Sequence, residues 1–141
     1  MKKTLLFVLA FIGAAFVATP VALANHHESA ERVFELRIYH PNPGKLDDLL
    51  ARFRDHTCAI FERVGIENIG YWVETEPAEG AEPKLYYVIA HASREAAREN
   101  WRNFLNDEEW KVARAKSEEN GRLVAKVDSI FLKSTDFSGI K

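Results

Sequence analysis

The sequence has few of the residues that build disulfide-stapled, metal-bound or nucleic-acid-binding folds. Its only cysteine is Cys58, so no disulfide within the chain and no cysteine-based zinc site can form. Lysine and arginine number 19 against 21 aspartates and glutamates, which is not the surplus of clustered positive charge that nucleic-acid binding requires. A glycine-rich phosphate loop, a nucleophile elbow and paired histidines at helical spacing are also missing. We therefore expect no nucleic-acid partner, no metal and no cofactor.

Long hydrophobic runs are confined to the start of the chain. Two lysines precede an apolar run over residues 5–17, and an Ala-x-Ala sequence that ends at Ala24 follows it, which is the pattern of a secretory signal peptide. The run is shorter than the roughly 20 residues that span a bilayer, and Pro20 ends it, which disfavours the alternative of an uncleaved anchor. We predict cleavage after Ala24, export to the periplasm or the medium, and no stable membrane anchor in the mature protein.

Removal of residues 1–24 would leave 117 residues with a formal net charge of −4, because two lysines leave with the signal peptide. That length suits one domain with its own core. Residues 25–32 are polar and without periodicity, so we expect a short flexible segment there. The remaining residues, 33–141, are predicted to form a single domain with an extended tail.

The periodicity of apolar residues predicts the order βαββαβ. Gly65 is the expected stop of the first helix, and Ser93 is a suitable N-cap for the second helical region. This order favours an α+β, ferredoxin-like fold whose four-stranded antiparallel sheet has the first and third strands in its centre. The predicted segments are a strand at 33–40, a helix at 45–64, strands at 68–75 and 85–91, a helical region from 93 to 120 that breaks near 106–109, and a strand at 123–132.

A sheet with both helices on one side leaves its other face bare. In the first strand Phe34, Leu36 and Ile38 form the apolar side, which we expect to face the helices. The bare face would then be apolar and aromatic, and too large to remain in water. An identical subunit is the simplest cover, so we predict a homodimer. The residues expected on the bare face are Val33, Tyr39, Tyr87, Ile89 and Phe131.

Several segments resemble the NIPSNAP family. The resemblance covers almost the whole predicted mature chain, in family order, although Glu108 stands where the family has proline. It implies a dimeric α/β barrel, in which two four-stranded sheets pack face to face, and it implies no general reaction. The segments are Phe34–Tyr39 (FELRIY), Pro43–Leu46 (PGKL), Arg54–Thr57 (RDHT), Ile69–Trp72 (IGYW), Asn106–Trp110 (NDEEW) and Lys133–Ser138 (KSTDFS).

Polar and aromatic side chains concentrate on the face predicted to be covered by the partner. Antiparallel pairing of the first and third strands would bring Glu35 toward His91 and Tyr39 toward Tyr87. Such a set favours a binding or proton-transfer site, and the structural alternative is a satisfied ion pair of Glu35 with Arg37 or His91. The ligand-binding candidates are Glu35, Arg37, Tyr39, Trp72, Tyr87 and His91.

Five aromatic or ionisable residues outside the first and third strands of the predicted sheet fall into three cases. Tyr71 and Trp72 lie on opposite faces of the second strand, and the sequence does not decide which one faces the pocket. Trp101 and Trp110 have the spacing of core residues and are assigned to packing. His56, on the first helix, either packs at the helix rim or reaches the mouth of the pocket.

Three functions follow from these features. The first is the binding of a small organic molecule between the two sheets, with Arg37 contacting an anionic or carbonyl group. The second is a cofactor-independent isomerase or monooxygenase-like enzyme, in which the catalytic candidates His56 or His91 would move a proton. The third is a non-catalytic interaction module that uses the dimer or the acidic loop 76–83.

Overall fold

A computed structural model describes residues 31–141 as one sheet covered on one side by helices. The predicted signal peptide at 1–24 and most of the predicted flexible segment at 25–32 lie outside the described residues. The elements are β1 (Val33–Pro41), α1 (Leu46–Arg52), a π-helical segment (Phe53–Thr57), α2 (Cys58–Arg63), β2 (Glu67–Val73), β3 (Leu85–His91), α3 (Arg94–Asn106), α4 (Glu108–Ser117) and β4 (Val124–Leu132).

The four strands lie in the order β2-β3-β1-β4, and every neighbouring pair is antiparallel. This confirms the predicted α+β, ferredoxin-like fold with β1 and β3 in the centre. In β1, Arg37 lies opposite Tyr87 of β3 and Ser129 of β4. Side chains from three strands therefore meet at one level of the sheet, which is where the candidate site lies.

The first helical region covers the predicted span but is not α-helical throughout. Between α1 and α2 the backbone makes a π-helical turn, and the hydroxyl of Thr57 donates a hydrogen bond to the carbonyl of Arg52 at 3.2 Å. A π-helical turn rotates the side chains that follow it around the helix axis. Periodicity does not reveal such a turn, because Phe53 at its start and Phe61 after it both remain buried. The region ends before Gly65, whose φ of 87° only glycine adopts without strain.

A side-chain cap starts each of α3 and α4, and the two helices meet at the break that the sequence predicts near 106–109. The hydroxyl of Ser93 accepts a hydrogen bond from the backbone N–H of Ala96 at 3.0 Å, which starts α3. The carboxylate of Asp107 accepts one from the N–H of Trp110 at 3.0 Å, which starts α4. Within residues 31–141 no helix has the length and apolar character needed to cross a membrane.

The hydrophobic core lies between the sheet and the helices. Tyr87, at the centre of β3, is completely buried, with its ring centroid 5.1 Å from that of Phe53 and 6.3 Å from that of Phe61. These contacts fix which face of the sheet lies under the helices. The core consists of Leu49, Phe53, Ile60, Phe61, Ile66, Leu85, Tyr87, Ile89, Phe104, Trp110, Leu123 and Val124.

The opposite face of the sheet, called the open face below, carries apolar side chains. Successive residues of a strand point to opposite faces, and Tyr87 lies on the helix side opposite Arg37. Phe34, Leu36 and Ile38 must therefore lie on the open face. Large apolar side chains exposed there are Trp72, Ile130 and Leu132, which are 56%, 48% and 42% exposed.

The predicted assignment of the two faces is therefore wrong. Val33, Tyr39, Tyr87, Ile89 and Phe131 share the helix side of the sheet, not the bare side. The predicted alternation of β1 is correct, but the helices cover its polar side and not its apolar side. The charged side chains of β1 can be buried there because neighbouring side chains pair with them.

Candidate functional site

The carboxylate of Glu35, in β1, is the centre of a buried hydrogen-bond network. Oε1 accepts hydrogen bonds from Nη1 of Arg37 at 2.7 Å and from the hydroxyl of Ser129 at 2.5 Å. Oε2 accepts one from the indole N–H of Trp101 at 2.7 Å and lies 3.3 Å from Nε2 of His91. The four partners belong to β1, β4, α3 and β3. A carboxylate that is 1% exposed requires partners of this kind to remain charged.

These partners also determine the protonation of Glu35. Burial by itself raises the pKa of a carboxyl group, but hydrogen bonds from His91, Ser129 and Trp101 and the charge of Arg37 lower the pKa of Glu35 to about 2. Glu35 is therefore ionised at physiological pH, with both oxygens engaged. Its role is to position Arg37, because a fully engaged carboxylate with a low pKa is a poor proton acceptor.

His91 is oriented by a second contact on the far side of its ring. The side-chain amide of Asn100 donates to the carbonyl of Gly65 at 2.7 Å and lies 3.4 Å from Nδ1 of His91. With Nδ1 as the acceptor, the ring proton sits on Nε2 and points at Glu35. The His91 side chain is 0% exposed, so the imidazole is enclosed within the network.

Arg37 connects this network to the surface. Its guanidinium lies over the ring of Trp101, with Cζ 4.3 Å from the ring centroid, while Nη1 is held by Glu35. Nε is buried and has no hydrogen-bond partner among residues 31–141. Stacking and the ion pair together hold the guanidinium in one orientation, and its side chain keeps 16% of its surface exposed.

A row of tyrosines continues from Arg37 into the core. Tyr87 lies between Tyr39 and Tyr71, with ring centroids 5.2 and 5.3 Å away. Burial raises the pKa of the Tyr87 hydroxyl, which has no hydrogen-bond partner among the described residues. Tyr71 therefore faces the helix side, which settles the question that the sequence left open for β2.

Arg37 faces a cleft of about 410 Å³ between the edge of the sheet and helices α3 and α4, called the arginine cleft below. Aromatic and basic side chains dominate its lining, and Glu118 is the one acidic residue among the described residues that line it. Such a combination suits an anionic organic molecule. The lining residues are Arg37, Tyr39, Arg52, Trp101, Phe104, Leu105, Trp110, Arg114, Glu118, Arg122, Val124, Ala125, Lys126 and Val127.

The structure brings five of the six predicted ligand-binding residues together and separates the sixth. Glu35, Arg37, Tyr39, Tyr87 and His91 form one group on the helix side, including the predicted approaches of Glu35 to His91 and of Tyr39 to Tyr87. Trp72 lies on the open face, because it is opposite Tyr86 rather than Tyr87 in the ladder. It cannot share a pocket with the other five within one subunit.

Neither of the two catalytic candidates lines the arginine cleft. His91 is enclosed beneath α3, as described above. His56 lies in the π-helical segment, and its Nδ1 is 3.9 Å from Glu109 of α4. It lines a separate polar cleft of about 420 Å³ between α1 and α4. Of the two interpretations of His56, the one in which it reaches the pocket of Arg37 does not hold, and the position at the helix rim remains.

Sequence reasoning missed the residues that helices contribute to the arginine cleft. Trp101 and Trp110 were assigned to packing alone, but both line the cleft, and Trp101 also donates to Glu35. Arg52 escaped notice because it follows a helical apolar stripe, where an arginine is normally exposed. A usable signal existed for Trp101: a buried carboxylate on β1 requires donors from the element that covers it.

Comparisons with known proteins agree with this architecture. The family model described as NIPSNAP matches residues 34–139, which is most of the chain. A NIPSNAP family protein from Agrobacterium tumefaciens is 23% identical and superposes with a TM-score of 0.65, over 79% of this chain and 100% of that one. An uncharacterized NIPSNAP-like domain protein from Burkholderia xenovorans is 19% identical, with a TM-score of 0.64, over 77% and 89% of the two chains.

A more distant structural neighbour is a putative antibiotic biosynthesis monooxygenase from Chloroflexus aurantiacus. It is 16% identical, with a TM-score of 0.50, and the match covers 79% of this chain and 100% of that one. At such identities the likeness establishes the fold alone. No curated protein matches the chain.

The first prediction concerns the charge of Glu35. Glu35→Gln should lower the free energy of unfolding by about 3 kcal/mol at neutral pH, because the folded-state pKa of about 2 lies below the 4.5 of an unperturbed glutamate. This contribution is present above the unfolded-state pKa and disappears as the pH falls toward the folded-state value. Urea unfolding at neutral pH and at about pH 3 should therefore show the two proteins converging in acid.

Glu95→Gln is the matched control. Glu95 is an exposed carboxylate paired with Arg98 on α3, so its loss should change stability far less than the loss of the buried Glu35 charge. A Glu35→Gln deficit that stays constant from neutral to acidic pH would show that the lost packing, and not the charge, is responsible.

Proposed function

The chain belongs to the NIPSNAP family, and we propose that it binds a small organic anion in the arginine cleft. The observation that carries this proposal is Arg37: its guanidinium is fixed by Glu35 and Trp101 and lines an accessible cleft. An arginine held in place before binding loses little conformational freedom when it contacts a carboxylate, so more of the contact energy remains as affinity.

The position of this site differs from the one expected from sequence. The expected ligand site lay between the sheets of two subunits, whereas the arginine cleft lies between one sheet and its own helices. Its aromatic side chains supply flat apolar surface for the carbon skeleton of a ligand. Trp101 and Trp110 are the largest of them.

Binding has more support than catalysis at this cleft. The monooxygenase-like or isomerase alternative needs a group that accepts or donates a proton beside the ligand. Glu35 is ionised with both oxygens engaged, and His91 is enclosed beneath α3. Because His56 lines another cleft, the residues at the arginine cleft favour holding an anion over moving its protons.

The second prediction is that Arg37 carries the affinity for a carboxylate. We expect benzoate to bind the mature protein and uncharged benzamide to bind less tightly, as measured by isothermal titration calorimetry. The double variant Glu35→Gln/Arg37→Met removes both members of the ion pair, so no buried charge is left unpaired. It should bind benzoate about ten- to a hundredfold more weakly, because a hydrogen bond to a charged group contributes about 1.5–3 kcal/mol.

Arg98→Met serves as the control, because Arg98 is an exposed arginine on the same helix as Trp101 but outside the cleft. Its affinity for benzoate should equal that of the unchanged protein. Equal affinities in the double variant, with folding verified by thermal melting, would refute Arg37 as the anion-binding group.

We further propose that the open face pairs with the same face of a second copy. The support is the exposed apolar surface on an otherwise well-packed domain, which resembles a dimer interface. The indole of Trp72 occupies the space beside Gly70, where an added Cβ would come within 2.4 Å of the ring. The absence of a side chain at Gly70 therefore lets this exposed ring pack against the sheet.

The third prediction tests this pairing. Ile130 lies on the open face opposite Leu36, so Ile130→Lys should place a charge in the interface and convert the protein to a monomer. Sedimentation velocity of the mature protein should give the mass of two chains before the substitution and of one chain after it. Val112→Lys, on exposed α4, should remain dimeric. A single-chain mass for the unchanged protein would refute the pairing.

We also propose that the protein is exported and then processed after Ala24, on the basis of the sequence pattern of residues 1–24. The fourth prediction is that protein recovered from the bacterial envelope has an intact mass that begins at Asn25. Ala24→Lys should block this cleavage, because the site requires small residues. An unprocessed mass for the unchanged protein, or its retention in the cytoplasm, would contradict export.

A further inference from the structure

The arginine cleft contains a second arginine held in the same way as Arg37. The guanidinium of Arg52, in α1, lies over the ring of Trp110 with Cζ 5.1 Å from the centroid. Its Nη1 donates to Oε1 of Glu118 at 3.2 Å and to the hydroxyl of Ser117 at 3.3 Å. The side chain is 4% exposed, and its Nε is buried without a hydrogen-bond partner among residues 31–141.

The two arginines therefore repeat one arrangement. Each stacks on a tryptophan, each is bound by a carboxylate through Nη1 alone among the described residues, and each retains a buried Nε without a partner. A buried N–H with no partner costs free energy, so its persistence at both ends of one cleft requires an explanation. A planar bidentate acceptor, such as a ligand carboxylate, bound to the Nε edge of each guanidinium would explain these unpaired N–H groups.

A series of aromatic contacts joins the two arginines. The ring centroid of Phe104 lies 5.6 Å from that of Trp101, with the two rings nearly perpendicular, and 4.4 Å from that of Trp110, with the two rings tilted by 34°. The contacts run from Arg37, over Trp101 and Phe104, to Trp110 and Arg52. Apolar rings thus line the space between the two charged positions, which suits a carbon skeleton better than a second polar group.

The charge of the cleft also exceeds what one anionic group would neutralise. Glu35 pairs with Arg37 and Asp128 pairs with Lys126, which leaves three arginines of the lining, Arg52, Arg114 and Arg122, against one carboxylate among the described lining residues, Glu118. Glu118 is shared between two of the arginines, since Nε of Arg114 lies 3.4 Å from its Oε2. Negative charge is therefore scarce at the end of the cleft where Arg52 lies.

From this geometry we propose that the arginine cleft accepts an aromatic or other planar molecule with two carboxylate groups, one bound by Arg37 and the other by Arg52. The inference rests on the proposed function, which requires an anion at Arg37 only, and it adds the ligand class. Glu118 accepts from Nη1 of Arg52, and its negative charge competes with a ligand carboxylate that approaches the Nε edge of the same guanidinium, which is unpartnered among residues 31–141.

The test compares pairs of probes that share one ring skeleton and differ in the number of carboxylates. The pairs are benzoate with terephthalate, and biphenyl monocarboxylate with the para-linked biphenyl dicarboxylate, titrated into the mature protein by calorimetry. Two lengths are used so that the span between the arginines need not be assumed. At least one dicarboxylate should bind about tenfold or more tightly than its monocarboxylate.

Two variants test whether the difference in affinity between dicarboxylate and monocarboxylate arises at Arg52. Arg52→Gln should abolish most of the preference for the dicarboxylate while benzoate still binds. Glu118→Gln removes the competing carboxylate, so the dicarboxylate should gain more affinity than the monocarboxylate, a gain that a purely structural Glu118 would not produce. Arg98→Gln, outside the cleft, should leave both affinities unchanged. If thermal melting shows that Arg52→Gln does not fold, Arg52→Lys, which keeps the charge but loses the planar donor pair, replaces it.

The outcomes separate the two proposals. If benzoate binds but neither dicarboxylate binds more tightly than its partner, the two-carboxylate inference is overturned and the proposed function stands. If the dicarboxylate preference survives the loss of Arg52, the second carboxylate is bound elsewhere and the inference is also overturned. If none of the four probes binds, both proposals fail together.

Discussion

The buried carboxylate of Glu35 is the interaction on which the rest of this structure depends. A charge taken out of water is tolerated only when donors surround it, and here the donors come from three strands and one helix. These hydrogen bonds to Glu35 fix the register in which β3 and β4 pair with β1, and they fix the position of Trp101 above the sheet. Removing the charge would therefore loosen the strand register and the helix packing together, because one group holds both.

The same network prepares the candidate site before any ligand arrives. Arg37 is bound on one edge by Glu35 and covered by Trp101, so its orientation is set by the fold and not by a ligand. Arg52 receives equivalent support from Glu118 and Trp110. Because the side-chain ordering is complete in the free protein, an anion in the cleft gains contact energy without the usual ordering cost. The stability of the domain and the geometry of the cleft thus have a common physical origin.

The arrangement of β1 reverses the usual distribution of polar and apolar residues. Its charged residues lie under the helices, where they satisfy one another, and its apolar residues lie on the open face. Sequence reasoning assumes that the apolar side of an alternating strand is buried within its own domain. That assumption fails when a second subunit covers the apolar side, since both faces of the strand are then buried. Our proposal of a sheet-to-sheet dimer accounts in this way for Leu36 and Ile38, which are half-buried, whereas Phe34 is already buried within its own subunit.

The residues alone predict the order of elements, the α+β fold, the cap at Ser93, the helix break at 106–109, and the proximity of Glu35 to His91 and of Tyr39 to Tyr87. These features depend on local periodicity, on short-range hydrogen bonds and on antiparallel pairing, all of which a pattern of residues expresses directly. Three further features emerge only from tertiary packing: which face of the sheet is buried, the separation of Trp72 from the other candidates, and the meeting of Arg52 and Arg37 in one cleft. Those outcomes depend on how helices lie across strands far away in sequence, where burial and charge compensation act between residues that no local pattern connects.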